Sequence, residues 1–581
     1  MASSERSDKP MTQPFSAMPR RSVLKGLAVA AAGGVASALL TKPADALPAG
    51  VGYPRTASPV GDSISTSDHQ PVVETESGKV RGYIRDGIVT FKGIPYGADT
   101  SGSNRFMPPQ KPAPWTGVRS SMQYGWVCPQ PPREGWKNDE EAWLFSWNDG
   151  VANEDCLRLN IWSQAVNDGK KRPVMVWLHG GGYTMGSGNE LLSYDGENLA
   201  RRGDVVIVSI NHRLNVLGYL NLASFGHQYA DSANAGMLDI VAALTWVRDN
   251  IANFGGDPGA VTIFGQSGGG GKVTALMAMP AAQGLFHRAI VQSGSILQGA
   301  TQEASTRHAA ALLKQLGLTP SNVDKLQSVP IDRLEQAAAA ITRMGPPSSG
   351  VIDFLHTGSL LGWSPVVDGD TLPQNPFDPA APAISAKVPL VVGNTLNEFV
   401  TAINHPEAMR MTEDELKKRI EGNWAGKSAK ILEAFRTAYP GAKPFELWSI
   451  ITASPVRAAA LAQVRRKAVQ QSAPAYCYWF TWQTPVLNGR PMAFHCSEIA
   501  FVFDNTQRCE NMTGGGPAAR ALAARMSEAW IHFARTGNPN HHALPRWTPL
   551  TPENNATMIF DQNCSLKNNL DDELQDLIAG S

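Results

Sequence analysis

The stretch Val261-Thr262-Ile263-Phe264-Gly265-Gln266-Ser267-Gly268-Gly269-Gly270-Gly271-Lys272-Val273-Thr274-Ala275-Leu276-Met277 reads as strand, turn and helix. Val261 to Phe264 is a short apolar run of the kind that forms a strand covered on both faces. Lys272 to Met277 carries helix formers. Between them Ser267 stands in Gly-x-Ser-x-Gly, where glycines two residues either side let neighbouring backbone come close to a sharp turn. Such a turn raises a serine hydroxyl at the carboxyl end of a strand, and the following helix directs its partial positive charge toward the same point. With 54 glycines in 581 residues the pentapeptide can arise by accident, so its weight comes from the strand before it and the helix after it.

Upstream, further apolar runs at Leu157 to Trp162, Val174 to Leu178 and Val205 to Ile210 are too continuous for strands with one wet face. From Met237 to Asn250, Leu238, Val241, Ala242, Thr245 and Trp246 recur at helical spacing. Strand, helix, strand in that order predicts a right-handed crossover and a parallel sheet, whose chemistry sits at the carboxyl ends of its strands. Val72 to Val89, broken by Ser77-Gly78 and Asp86-Gly87, predicts edge hairpins. Segments near 301–345 and 405–470 are helical in period and read as insertions around the site. The fold class is therefore α/β: one large domain over 71–581, its central, mostly parallel sheet flanked by helices.

Composition agrees, with 43% hydrophobic and 18% charged residues. The balance of 51 basic and 51 acidic side chains leaves no global field to gather nucleic acid. Arg20-Arg21-Ser22-Val23-Leu24-Lys25, an apolar run from Gly26 to Leu40 and Ala44-Asp45-Ala46 resemble a twin-arginine export signal over 1–46, followed by a flexible lead-in over 47–70. The apolar run is shorter than the ~20 residues of a membrane span, so no stable anchor is expected after cleavage. Removal leaves 45 basic against 48 acidic groups, and a periplasmic or secreted location is expected. None of the six cysteines forms C-x-x-C and neither a dinucleotide loop nor a P-loop is found, so no metal or cofactor is implied.

His179-Gly180-Gly181-Gly182 follows the Val174 to Leu178 run. Acyl transfer needs donors for a developing oxyanion, and consecutive glycines let main-chain N–H groups converge without a Cβ in the way. The expected donors are the amides of Gly181, Gly182 and Gly268.

With these motifs, and with Phe91-Lys92-Gly93-Ile94-Pro95-Tyr96-Gly97, Glu154-Asp155-Cys156-Leu157-Arg158-Leu159-Asn160, Asn253-Phe254-Gly255-Gly256-Asp257-Pro258 and Val291-Gln292-Ser293-Gly294-Ser295, the chain resembles the type B carboxylesterase and lipase family. That group has the α/β-hydrolase fold and includes the cholinesterases. The resemblance implies a serine esterase acting on a small-molecule carboxylic ester. It also implies a triad of Ser267, Glu398 in Gly393-Asn394-Thr395-Leu396-Asn397-Glu398-Phe399, and His495 in Ala493-Phe494-His495-Cys496-Ser497-Glu498. From the residues alone His495 does not stand out among 12 histidines, and Asp368 and Asp370 are rival acids, with Asp368-Gly369 better suited to a turn.

The resemblance also pairs Cys128 with Cys156 as a disulfide. Trp126 just before the first of them, and Trp136, Trp143, Phe145 and Trp147 in the loop between them, fit either a pocket wall or a core. The chain departs from the common Glu-Ser-Ala elbow with Gln266-Ser267-Gly268, and its glycines 268–271 each cost about 1 kcal/mol against Ala if helical, so a packing gain is expected there. Two other readings are an interfacial lipase, which wants an exposed apolar lid, and a catalytically inactive adhesion relative, which would have lost a triad member.

Overall fold

The computed structural model describes residues 63–131, 139–343 and 362–579. The export-signal reading and Trp136 lie outside these. Among the described residues the main sheet has twelve strands. In chain order they are β1 (Ile64–Ser65), β2 (Tyr83–Arg85), β3 (Ile88–Pro95), β4 (Arg158–Ser163), β5 (Arg172–Leu178) and β6 (Val206–Ile210). Then follow β7 (Gly256–Gln266), β8 (Arg288–Gln292), β9 (Leu390–Thr395), β10 (Ala475–Phe480), β11 (Thr557–Phe560) and β12 (Ser565–Lys567). Their spatial order is β1-β2-β3-β4-β6-β5-β7-β8-β9-β10-β11-β12.

From β6 to β11 every neighbouring pair is parallel, while the flanks are antiparallel. The Leu157 to Trp162 run thus sits as antiparallel β4, with every residue buried. The crossover from β6 through helix α1 (Ala235–Asn250) returns on the far side of β5, so β6 and β7 flank β5. Both hairpins form: Asp86 and Gly87 take φ of 46° and 81° between β2 and β3 at the main sheet's edge, whereas Val72–Thr75 pairs with Gly78–Arg81 in a separate three-stranded sheet completed by Val118–Ser120. The lead-in is not wholly without structure, because Ile64 and Ser65 add to the β2 edge.

Alternate residues on the central strands feed two cores. Val174, Val176 and Leu178 face one with Met237, Ile240 and Leu244 of α1; Met175 and Trp177 face the other with Met526, Trp530 and Phe533 of the helix Pro517–Thr536. Burial on both faces is why these strands read as unbroken apolar runs. The expected insertions are helical at Gln302–Leu316 and Ile331–Arg343, and at Glu413–Asn423, Ser428–Ala438 and Pro444–Val469. The C-terminal helix Asp572–Ala579 buries Leu574 and Ile578, whereas Leu570 precedes it and is exposed. No helix among the described residues is long and apolar enough to cross a membrane.

Candidate active site

Four adjacent parallel strands, β5, β7, β8 and β9, end side by side, and each delivers part of the site. At the end of β7, Ser267 is held at φ 58° and ψ −127° as the residue before helix α2 (Gly268–Leu276). A non-glycine residue in that region stores roughly 1–3 kcal/mol of strain, sustained here by close packing. A Cβ on Gly269 would lie 1.9 Å from the Leu178 carbonyl, and one on Gly265 2.5 Å from the Gly269 carbonyl carbon. The other glycines of α2 have the same reason: Cβ atoms at Gly268, Gly270 and Gly271 would meet Gly182, Gly294 and Ile296 respectively. Helix and strand ends approach closer than any side chain allows, which is the packing gain that offsets poor helix propensity.

The loop after β5 is fixed by its carbonyls. His179 Nδ1 donates to the Gly180 oxygen at 2.9 Å, and the Thr184 and Met185 amides donate to the Gly181 oxygen at 3.3 and 3.1 Å. Each oxygen shares a rigid peptide with the next residue's N–H, so holding the oxygens on one side turns the Gly181 and Gly182 amides to the other. Gly181 and Gly182 have φ of 82° and 63°, which glycine adopts without penalty. Among the described residues the amides of Gly181, Gly182 and Gly268 donate to no protein acceptor. All three glycines lie around Ser267, with Gly181 and Gly182 lining the same cavity as that residue.

Glu398 follows β9 at φ 48° and is buried. Its Oε2 meets His495 Nδ1 at 2.5 Å, while its Oε1 accepts from Ser293 Oγ at 2.8 Å and from the Thr395 amide at 2.9 Å. The His495 amide donates to the Glu398 carbonyl at 2.8 Å, which locks the two loops together. Ser293, at the end of β8, had no role assigned from sequence, although its place at the end of a parallel strand was the available signal. Asp368 instead accepts the Asp370 and Leu372 amides and the Asn234 side chain in a turn away from the site.

Ser267, Glu398 and His495 line one cavity of about 450 Å³ with Phe145, Trp147, Met185, Tyr194 and Phe399. Of the five clustered aromatics, Phe145 and Trp147 stack at 4.6 Å in its wall, whereas Trp126 and Trp143 are exposed. The Phe399 ring lies 3.8 Å from the His495 ring, centre to centre. No hydrogen bond joins the Ser267 hydroxyl to His495 in this structure. Gln266 Nε2 lies 3.1 and 3.4 Å from His495 Nε2 and Nδ1, and Gln266 Oε1 accepts from the Cys496 thiol at 3.2 Å. Beyond His495, buried Glu498 has its carboxyl pushed up to about 8, by burial first and then by the Glu398 charge.

The resemblance implies a disulfide between two residues that the structure carries as thiols. Cys128 and Cys156 are both buried free thiols. They are neighbours nonetheless: the hydrogen bond with Cys128, together with burial, holds the Cys156 thiol well above its ordinary range. Cys128 Sγ also accepts the Leu214 amide at 3.3 Å.

Residues 69–577 match the model of the carboxylesterase family, and that span includes every element of the site. The chain belongs to the carboxylesterase family. It is a carboxylic ester hydrolase of the α/β-hydrolase fold. This carboxylesterase is 35% identical over 513 residues to the para-nitrobenzyl esterase of Bacillus subtilis (strain 168), covering 87% of this chain and 97% of that one. It is 33% identical to the phenmedipham hydrolase of Pseudarthrobacter oxydans over 84% of this chain and 95% of that one. Among solved structures it is similar, at TM-score 0.75 and 38% identity over 89% of this chain and 99% of the other, to an esterase from Clostridium hathewayi described as hydrolysing aliphatic aromatic polyesters.

Proposed function

We propose that this carboxylesterase hydrolyses small carboxylic esters through Ser267, His495 and Glu398 by way of an acyl-enzyme. The observation that carries the reading is the 2.5 Å contact of His495 Nδ1 with the buried Glu398 carboxylate, in the same cavity as a serine on a strained elbow. Glu398 accepts a hydrogen bond from the Nδ1–H, which keeps that proton on Nδ1 and leaves Nε2 as the base. That nitrogen exchanges the Gln266 amide for the Ser267 hydroxyl as the ester binds; such contacts tighten in the Michaelis complex.

Ser267 Oγ then attacks the carbonyl carbon, its proton passes to His495 Nε2, and the carbonyl oxygen becomes an anion between the Gly181, Gly182 and Gly268 amides. Collapse expels the alkoxide, which takes the proton from Nε2. Water repeats the sequence on the acyl group and frees Ser267. Glu398 stays ionised throughout and stabilises the imidazolium. The cavity volume and its aromatic and Met185 lining suit compact esters with apolar or aromatic groups, in keeping with the relatives named for para-nitrobenzyl and phenmedipham substrates.

The test is hydrolysis of short- and long-chain p-nitrophenyl esters by wild type and Ser267→Ala, with fluorophosphonate labelling mapped to a peptide. The expected results are a loss of at least about 10⁴-fold in kcat for the variant and label on Ser267. Equal rates in the two proteins would sink the assignment, and a rate that jumps only above substrate solubility would favour an interfacial lipase.

A further inference from the structure

Lys272 is wholly buried, one turn into α2, and is accounted for neither by the fold's apolar packing nor by the proton relay. It forms no ion pair among the described residues. Its Nζ donates to the His179 carbonyl at 2.9 Å and lies 5.9 Å from the Tyr183 ring, and its charge also acts on buried His212. A methionine of similar length would fill the same space without desolvating an amine, a change that ordinarily costs several kcal/mol when unpaired. Burial pushes the amine down to about 7, yet both its protonated and neutral forms keep an N–H for the carbonyl.

That carbonyl is where the glycine loop leaves β5. The His179 ring continues the chain of contacts, because its Nδ1 donates to the Gly180 oxygen, whose peptide carries the Gly181 N–H. Gly186 packs so closely here that a Cβ on it would lie 2.6 Å from His179 Nδ1. Two successive peptides of the loop are therefore oriented by polar contacts from side chains that do not line the cavity, the first by Lys272, the second by His179. Lys272 and Ser267 lie on one rigid element, so the amine ties the loop to the helix that carries the nucleophile.

We propose that Lys272 is a positioning residue for the oxyanion cradle, gripping the His179 carbonyl so that the Gly181 and Gly182 amides meet the Gly268 amide at one point. The inference rests on the proposed esterase reading and adds a residue that touches neither substrate nor the reacting atoms.

The test uses the full chain with Lys272→Met, which removes the donor, and Lys272→Gln, which keeps a neutral one. Each is measured for kcat and KM on p-nitrophenyl butyrate and for inhibition by an alkyl trifluoromethyl ketone. Ser267 Oγ adds to that ketone, the carbonyl π pair moves onto oxygen and the serine proton goes to His495, giving an anionic tetrahedral adduct. The expected outcome for Lys272→Met is a kcat lower by about 10–100-fold with KM within about three-fold, and a ketone Ki raised by a similar factor. Lys272→Gln should recover part of both.

Wild-type kcat in Lys272→Met, a change confined to KM, or an unchanged ketone Ki would overturn the proposal. So would failure of both variants to fold, which would make Lys272 a residue of the fold alone. Ser267→Ala separates the two readings: if it is inactive while Lys272→Met is at full rate, only this inference fails, and if it is active the esterase reading fails.

Discussion

Gly268→Ala is the sharpest test of how the site is built. Many relatives of this family carry Ala after the nucleophile, yet here a Cβ at 268 would stand 2.1 Å from the Gly182 oxygen and 2.4 Å from its Cα. Ordinary carbon contacts lie at about 3.5–4.0 Å, so the two backbones would have to part by roughly 1 Å or more. Helix α2 cannot retreat, because Gly269 already abuts the Leu178 carbonyl and Gly270 abuts Gly294. The glycine loop must yield instead, and the Gly182 amide moves away from the Gly268 amide. A shift of 1 Å at a reacting centre costs about 10²-fold, and loss of one oxyanion donor about 10²–10³-fold in kcat. The expectation is a folded Gly268→Ala variant with kcat down about 100-fold and KM little changed, measured by steady-state hydrolysis of p-nitrophenyl butyrate. Overpacking should lower stability by about 1–3 kcal/mol in urea melts. A folded variant retaining kcat within about three-fold of wild type would refute the reasoning.

Two further outcomes concern buried charge. In the native state the Glu498 carboxyl is raised to about 8 from an ordinary 4.5, so the folded protein keeps a proton that the unfolded chain has lost. Stability should therefore fall as pH rises from about 4.5 to about 8 and level off above. Glu498→Gln removes that dependence and should be the more stable protein by about a few kcal/mol at pH 8, with no advantage near pH 4.5; parallel melting curves for the two proteins across this range would contradict it. Asp239 pairs with Arg213 through Oδ1 at 2.7 Å and Oδ2 at 2.8 Å, both groups being buried. Asp239→Asn strands the guanidinium and should cost about 3–5 kcal/mol in urea-determined stability, whereas a loss below about 1 kcal/mol would show that the interior rehydrates the arginine.

The central strands and the elbow were legible because their signals are local. A strand buried on both faces must be apolar throughout, and a serine between close-packed strand and helix needs glycine on both sides; each condition writes itself into consecutive residues. The sequence also marked the glycine loop and, through family resemblance, Glu398 and His495. Hidden were the relations between distant segments. Ser293 became a partner of Glu398 only because β8 and β9 end side by side, and the aromatic cluster divided into wall and surface only when the chain around it folded.

What the sequence determined alone is thus the α/β architecture and the chemistry on offer, since hydrophobic period and turn residues act over a few positions. Tertiary structure alone decided which groups meet. The 2.5 Å approach of His495 to Glu398, 97 residues apart, the Gln266 amide beside the imidazole ring, and a buried amine beneath the glycine loop are set by sheet order and close packing. Distances of that kind depend on the whole core being filled, and no short window of residues carries them.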